Sequence, residues 1–176
     1  WAWCRLENIC CYIQRGKSPK YSNIKKYPVI SQKCNQWNGF FIENAKFIEP
    51  DTISNYNEER ILQNEDLMWN STGLGTLGRI AIYKSKLNPH KLAVADSHVT
   101  IMRLFKQYVI VKYAYYYIAN PTVQNIIEQQ ADGTTKQKEL SLSIIKKYHI
   151  PLPPLEEQKR IVSKVNILLK YCEKME

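Results

Sequence analysis

The chain is poor in the residues that build metal sites and disulfide frameworks. Its 176 residues include three histidines, His90, His98 and His149, and five cysteines, Cys4, Cys10, Cys11, Cys34 and Cys172, with no C-x-x-C spacing. A tetrahedral zinc site needs two closely spaced ligand pairs, so no metal is expected. An odd thiol count without a framework fits a reducing compartment, and unpaired cysteines in a cytoplasmic protein are the expectation. No run of about 18 apolar residues exists, which leaves nothing to span a membrane as a helix. The opening "WAWCRLENICCYIQRGK" lacks the charged-then-apolar order of a signal peptide, and with Trp1 in first place the chain reads as a fragment of something longer.

Acidic residues are also in short supply. Sixteen Asp and Glu stand against 25 Lys and Arg, a net charge of +9. That excess suits a polyanion, because each neutralised phosphate releases counterions. Twelve Tyr and four Trp add flat, amphipathic surface that can stack on bases or pack in a core. The carboxylates form no recognisable nuclease set: Glu58, Glu59, Glu65 and Asp66 follow one another along a polar connecting stretch.

Glycine numbers only six, yet three fall in "STGLGTLGRIAIYKS", where Gly73, Gly75 and Gly78 spell G-x-G-x-x-G and Asp96 follows at about the distance of a ribose-binding acid. A dinucleotide site requires a helix starting at the second or third glycine, with its N–H groups facing the pyrophosphate. Here the glycines lead instead into a period-two pattern, with Ile80 and Ile82 on one face and Arg79, Ala81 and Tyr83 on the other. That is a strand, and the tract to Asp96 has no helical crossover. The glycines therefore read as a tight strand-to-strand reversal that needs positive φ or close backbone approach. No cofactor is expected.

Trp3, Leu6, Ile9 and Cys10 have helical spacing and predict a short amphipathic helix over residues 3–12. "QRGKSPKYS", broken by Gly16 and Pro19, predicts a loop, and strands are expected in "YPVIS" and "GFFIENAKFIEP" on either side of the polar "QKCNQWN". "DLMWNSTG" and Leu92 to Leu104 have strand character, whereas Gln107 to Gln130 turns helical with a break at Asn120-Pro121. "ADGTTKQKEL" reads as a polar turn and "YHIPLPP" as extended, since prolines forbid helix. Strands followed by helices imply an α+β fold, a compact mixed or antiparallel sheet with flanking helices over residues 1–152.

Residues 153–176 predict one long helix. Pro154 suits its first turn, and Glu156 and Glu157 complement its positive end. Ile161, Val165, Leu168, Cys172 and Met175 alternate by four and three, the narrow seam of a coiled coil, which Val162 and Leu169 widen. At 1.5 Å per residue, about 22 helical residues reach roughly 33 Å. Its stripe either packs on the chain's own domain or waits for another helix.

Several tracts resemble one family. "ILQNEDLMWNSTGLGTLGRIAIY" is similar to the central signature of the target recognition domain in specificity subunits of type I restriction-modification enzymes. "QRGKSPKYS" resembles that domain's opening loop, and "GTTKQKELSLSIIKKYHIPLPPLEEQKRIVSKV" its closing segment and the start of the conserved spacer helix. The resemblance implies a protein that reads sequence and performs no chemistry. Each of two recognition domains in such a subunit reads half of a split double-stranded DNA target. Two long helices space the halves and dock the methyltransferase subunits, so that modification and restriction subunits are directed to the site. One recognition domain and one helix are present here, so the chain is either half of a subunit or a short version pairing with a second copy.

Under that reading, phosphate contacts position the protein and base-edge contacts specify the site. Arg15, Lys17 and Lys20, with Tyr21, are the candidates for positioning, followed by Lys136 and Lys138. Amides pair bidentately with adenine's major-groove edge, which points to Gln32, Asn35, Gln36 and Asn38 beside Trp37. Ser71, Thr72, Thr76 and Arg79 flank the glycine turn, where Arg79 could address guanine. Two other readings fit the sequence less well. The recognition domain of a fused adenine methyltransferase would need an Asn-Pro-Pro-aromatic loop, but Asn88-Pro89-His90 and Asn120-Pro121-Thr122 lack the second proline and the aromatic. A pure helix-mediated interaction module would explain the seam but not the basic loops.

Overall fold

The computed structural model describes residues 1–133 and 138–175. The chain opens with β1 (Ala2–Arg5), the single turn α1 (Leu6–Ile9) and β2 (Cys10–Arg15). There follow β3 (Tyr21–Ser22), β4 (Tyr27–Ile30), β5 (Asn35–Gln36), β6 (Gly39–Phe40) and β7 (Lys46–Ile48). Short 3-10 turns carry the polar stretch to β8 (Leu67–Asn70), β9 (Ile80–Ile82), β10 (Val94–Ala95) and β11 (Val99–Leu104). Then come α2 (Val111–Ala119), α3 (Pro121–Gln130), α4 (Leu142–Lys147), β12 (His149–Leu152) and α5 (Leu155–Glu173).

The central sheet is antiparallel, in the order β2-β11-β8-β9, and both of its faces are covered. Side chains alternate across a strand, so each strand feeds two cores. Leu67, Trp69, Ile80, Met102 and Leu104 face the core built with α1 to α4. Met68, Ala81, Tyr83, Val99 and Ile101 face the other way, against Ile30, Cys34 and Phe40. A second sheet, β10-β4-β7-β3, lies alongside, with β10 parallel to β4 and its other pairs antiparallel. This is the mixed α+β architecture expected.

One sequence expectation fails at the N-terminus. Instead of a helix over 3–12 there are two strands joined by one helical turn. The Leu6/Ile9 spacing is real, and both residues are buried, but the flanks are claimed by distant partners. Ala2–Arg5 pairs with His149–Leu152, and Cys10–Arg15 pairs with β11. Non-local ladders override a weak local preference. The sequence reading also passed over α4, whose N-cap Ser141 accepts from Ile144 N–H.

The helix break is where it was expected. Asn120 sits between α2 and α3, its side chain accepts from Thr122 N–H, and Pro121 opens α3 without needing a donor. Pro154 falls one residue earlier than expected, in extended conformation as the N-cap of α5. Along α5, Ile161 and Val162 pack on the core, Val165 and Asn166 are half-buried, and Tyr116 OH donates to Asn166 at 2.6 Å. Leu168, Cys172 and Met175 are exposed, together with Ile167, Leu169 and Tyr171. The stripe thus divides: its first half docks on the chain's own domain, and its second half does not.

Candidate nucleic-acid interface

At one end of the central sheet, strands β8 and β9 are joined by the glycine turn. Gly73, Gly75 and Gly78 all have positive φ, at 110°, 73° and 83°, so the reversal depends on residues that tolerate the left-handed region. No helix follows, and Asp96, the apparent ribose acid, belongs to the β10–β11 turn and accepts from His98 N–H at 2.8 Å. The dinucleotide pattern is a turn.

Two further loops meet this turn, and the end of β2 braces one of them. The 3-10 turn that leads into the β5–β6 hairpin approaches through Gln32, whose amide donates to the Thr72 carbonyl at 2.6 Å and hydroxyl at 3.1 Å. The β10–β11 turn approaches through His98, whose Nδ1 lies 2.7 Å from the Thr72 hydroxyl. Arg15, the last residue of β2, joins one step removed: its Nε donates to the Ser97 carbonyl at 2.5 Å, and its guanidinium pairs with Glu139, which bridges to Thr72. Gly16 permits this: a Cβ there would stand 2.0 Å from the Asp96 carbonyl oxygen. Arg15, Ser97, His98, Thr72 and Gln32 form one connected polar surface.

Arg79 clamps two of these loops together. Its guanidinium donates to Gln36 Oε1 at 2.7 Å and to the Gly75 carbonyl at 2.9 Å. Thr76 closes the turn on itself by donating to the Thr72 carbonyl. Beside them opens a cleft of about 280 Å³, lined by Trp37, Gly73, Leu74, Gly75, Gln124 and Lys138 among others. Trp37 and Asn38 are exposed at the hairpin tip, and Leu74 is 81% exposed at the tip of the glycine turn.

Two of the residues expected on a reading surface are inside the protein. Asn35 is fully buried and donates to Asn70 Oδ1 at 2.9 Å. Ser71 is fully buried, its hydroxyl 2.5 Å from that of Thr100. Their polar groups brace strand ends and face no solvent. Gln32 and Gln36 lie at the surface but spend their amides on loop contacts, Gln36 donating to the Lys33 carbonyl at 2.9 Å while accepting from Arg79. A bidentate adenine contact would have to displace those bonds.

The cations divide as well. Lys17 turns to the Asn55 carbonyl at 2.7 Å and stands 5.3 Å from the Tyr56 ring centroid. Lys20, just before the edge strand β3, and Tyr21 on it are exposed, with Lys46 over the Tyr21 ring at 4.8 Å. Lys138 donates to the Glu128 carbonyl at 3.1 Å, next to the cleft. Lys136 lies outside the described residues. Sequence reasoning missed His98, Ser97 and exposed Lys33. The Asp-Ser-His turn signal was present, but its contact with Thr72 spans 26 residues.

Comparison with known proteins agrees with this architecture. The chain is 28% identical over 137 residues to the type I restriction enzyme EcoBI specificity subunit of Escherichia coli, a match covering 77% of this chain and 27% of that protein. It is 24% identical over 162 residues to the putative type I restriction enzyme MjaX specificity subunit of Methanocaldococcus jannaschii, covering 92% of this chain and 37% of that protein. The chain therefore spans well under half the length of these relatives. Among solved structures, the HsdS subunit from Thermoanaerobacter tengcongensis superposes with a TM-score of 0.69 at 18% identity, over 99% of this chain and 43% of that one. A chain from a study of complex assembly and conformational transition in the type I R-M system gives 0.72 at 16% identity, over 99% and 40%. At such identities the likeness carries the fold. The family model for the type I restriction modification DNA specificity domain matches residues 1–176, and the chain belongs to that family.

Proposed function

We propose that this chain reads one half of a bipartite double-stranded DNA target, as part or all of a type I specificity subunit. Residues 1–152 act as the recognition domain and 153–176 as the spacer helix. The observation that carries this reading is the meeting of separate polar loops at Thr72, which Gln32 and His98 both bond, with Arg15 on neighbouring Ser97 and the Arg79–Gln36 clamp beside them. A rigid sheet that presents several short loops to one side is suited to a groove, and the net charge of +9 favours phosphate approach.

Within this face the roles separate by what each side chain has left to give. Trp37, Asn38 and His98 are exposed and reach outward, whereas Gln32, Gln36 and Arg79 set the loop positions. Lys20, Tyr21 and Lys138 are assigned to the DNA backbone, with Lys17 and Thr76 supporting their own loops. The protein itself performs no chemistry on DNA and needs no cofactor. Methyltransferase and restriction subunits supply the reactions in the cytoplasm.

The exposed half of α5, with Leu168, Cys172 and Met175, takes a second helix, from another recognition half or a second copy of this chain. Selection from a randomised duplex pool tests the reading. The expected result is one short, reproducible consensus for the chain, and enrichment of no sequence would reject it.

A further inference from the structure

Leu74 is an anomaly on a polar loop. It is 81% exposed, at the tip of a turn whose neighbours Gly73 and Gly75 both adopt positive φ. The turn is braced: Thr76 N–H and Leu77 N–H donate to the Gly73 carbonyl, Gln32 holds Thr72, and Arg79 holds the Gly75 carbonyl. An apolar side chain is thus displayed at a fixed point, instead of folding back onto a core as flexible surface leucines do. Across the same cleft stands Trp37, 48% exposed.

We propose that Leu74 is an apolar wedge that enters a base step of the bound duplex, partly unstacking it, with Trp37 covering the opened edge. The inference rests on the DNA-reading role of this face. Proteins that deform DNA use isolated aliphatic side chains in this way, and an aromatic ring beside the wedge compensates lost stacking. The occupant is a base step because the chain carries a net charge of +9 and Lys138 lines the cleft beside Glu128, while Arg79 holds the turn from behind through the Gly75 carbonyl. A pyrimidine–purine step is the expected place of entry, since such steps unstack most easily.

The test uses the chain with the duplex found by selection, in which 2-aminopurine replaces purines one position at a time. Wild type should raise the fluorescence at one step and leave other positions unchanged. Leu74→Phe should keep that signal, and Leu74→Ser should abolish it while binding the same consensus about tenfold more weakly. No increase at any position, with binding intact, would overturn the wedge and leave the DNA-reading role standing. A signal that survives Leu74→Ser would overturn it as well. If thymine-to-uracil replacement weakens binding and no position brightens, Leu74 touches a thymine methyl group instead and the wedge is wrong. If no duplex is enriched at all, both readings fall.

Discussion

The side chain of Gln158 accepts from Ile110 N–H at 2.8 Å, tying the first turn of α5 to the start of α2. Gln158 is fully buried, and its amide nitrogen donates to the Tyr108 and Pro153 carbonyls at 2.9 Å each. Every polar atom of the side chain is used, and three backbone groups depend on it. Together with the Tyr116–Asn166 bond, it makes the long helix continuous with the rest of the fold.

Gln158→Ala should therefore destabilise the fold by about 3 kcal/mol, since it strands buried backbone groups and opens a cavity. Urea unfolding gives the number. Gln158→Glu is the sharper variant. An ionised carboxylate would still accept from Ile110 but would set a bare oxygen against two carbonyls. Protonation restores a donor, so this variant should regain stability relative to wild type as the pH falls. A loss independent of pH would contradict the role given to the amide.

Among the described residues, Asp66 and Arg103 form the most enclosed ion pair, with contacts of 2.8 and 2.9 Å and side-chain exposures of 1% and 12%. Arg103 also donates to the Glu59 and Ile61 carbonyls and lies over the Tyr12 ring. It thereby pins the polar connection before β8 to β11. Arg103→Met should cost about 3 kcal/mol, because it leaves a buried carboxylate uncompensated. Adding Asp66→Asn should return part of that loss. If the double variant is no better than the single one, as measured by unfolding midpoints at constant pH, the pair is not coupled as described.

Burial pushes the Asp96 carboxyl above the usual carboxylate range, although His98 N–H and the charges of His98, Lys46 and Arg15 pull it back. A carboxyl whose pKa is raised on folding favours the fold while protonated and loses that favour as pH rises through its folded value. Asp96→Asn keeps an oxygen for His98 N–H and removes the charge. The variant should be more stable than wild type at neutral pH, with the advantage vanishing below the carboxylate range. An advantage that persists in acid would mean the charge was not its source.

Much of this architecture was readable because the relevant forces are local. Ile80 and Ile82 alternate with Ala81 and Tyr83 in the sequence, and the structure sends the two sets into separate cores. Asn120-Pro121 punctuates two helices, and the glycines reverse a hairpin. The interface was less legible. Asn35 and Ser71 look like any loop amide and hydroxyl, yet Asn70 and Thr100, 35 and 29 residues away, draw them inside. The same holds for Gln36, whose partner Arg79 is 43 residues distant. Composition identifies polar loops; only tertiary contact decides which polar atoms remain free.

That division bears on how affinity should respond to salt. If about five phosphates are neutralised, log K should fall with log salt with a slope near −4.5. Lys20 is exposed in the loop that leads into β3, so Lys20→Ala should lower the slope by about one unit without changing the preferred sequence. Arg79→Ala should behave differently. Its guanidinium is held by Gln36 and Gly75, so its loss frees the Trp37 hairpin from the glycine turn. The expected result is a large fall in discrimination between cognate and random duplexes, with a slope close to that of wild type. Titrations of both variants at several salt concentrations separate the two behaviours. Equal slope changes for both would place Arg79 on a phosphate and remove its role as the clamp.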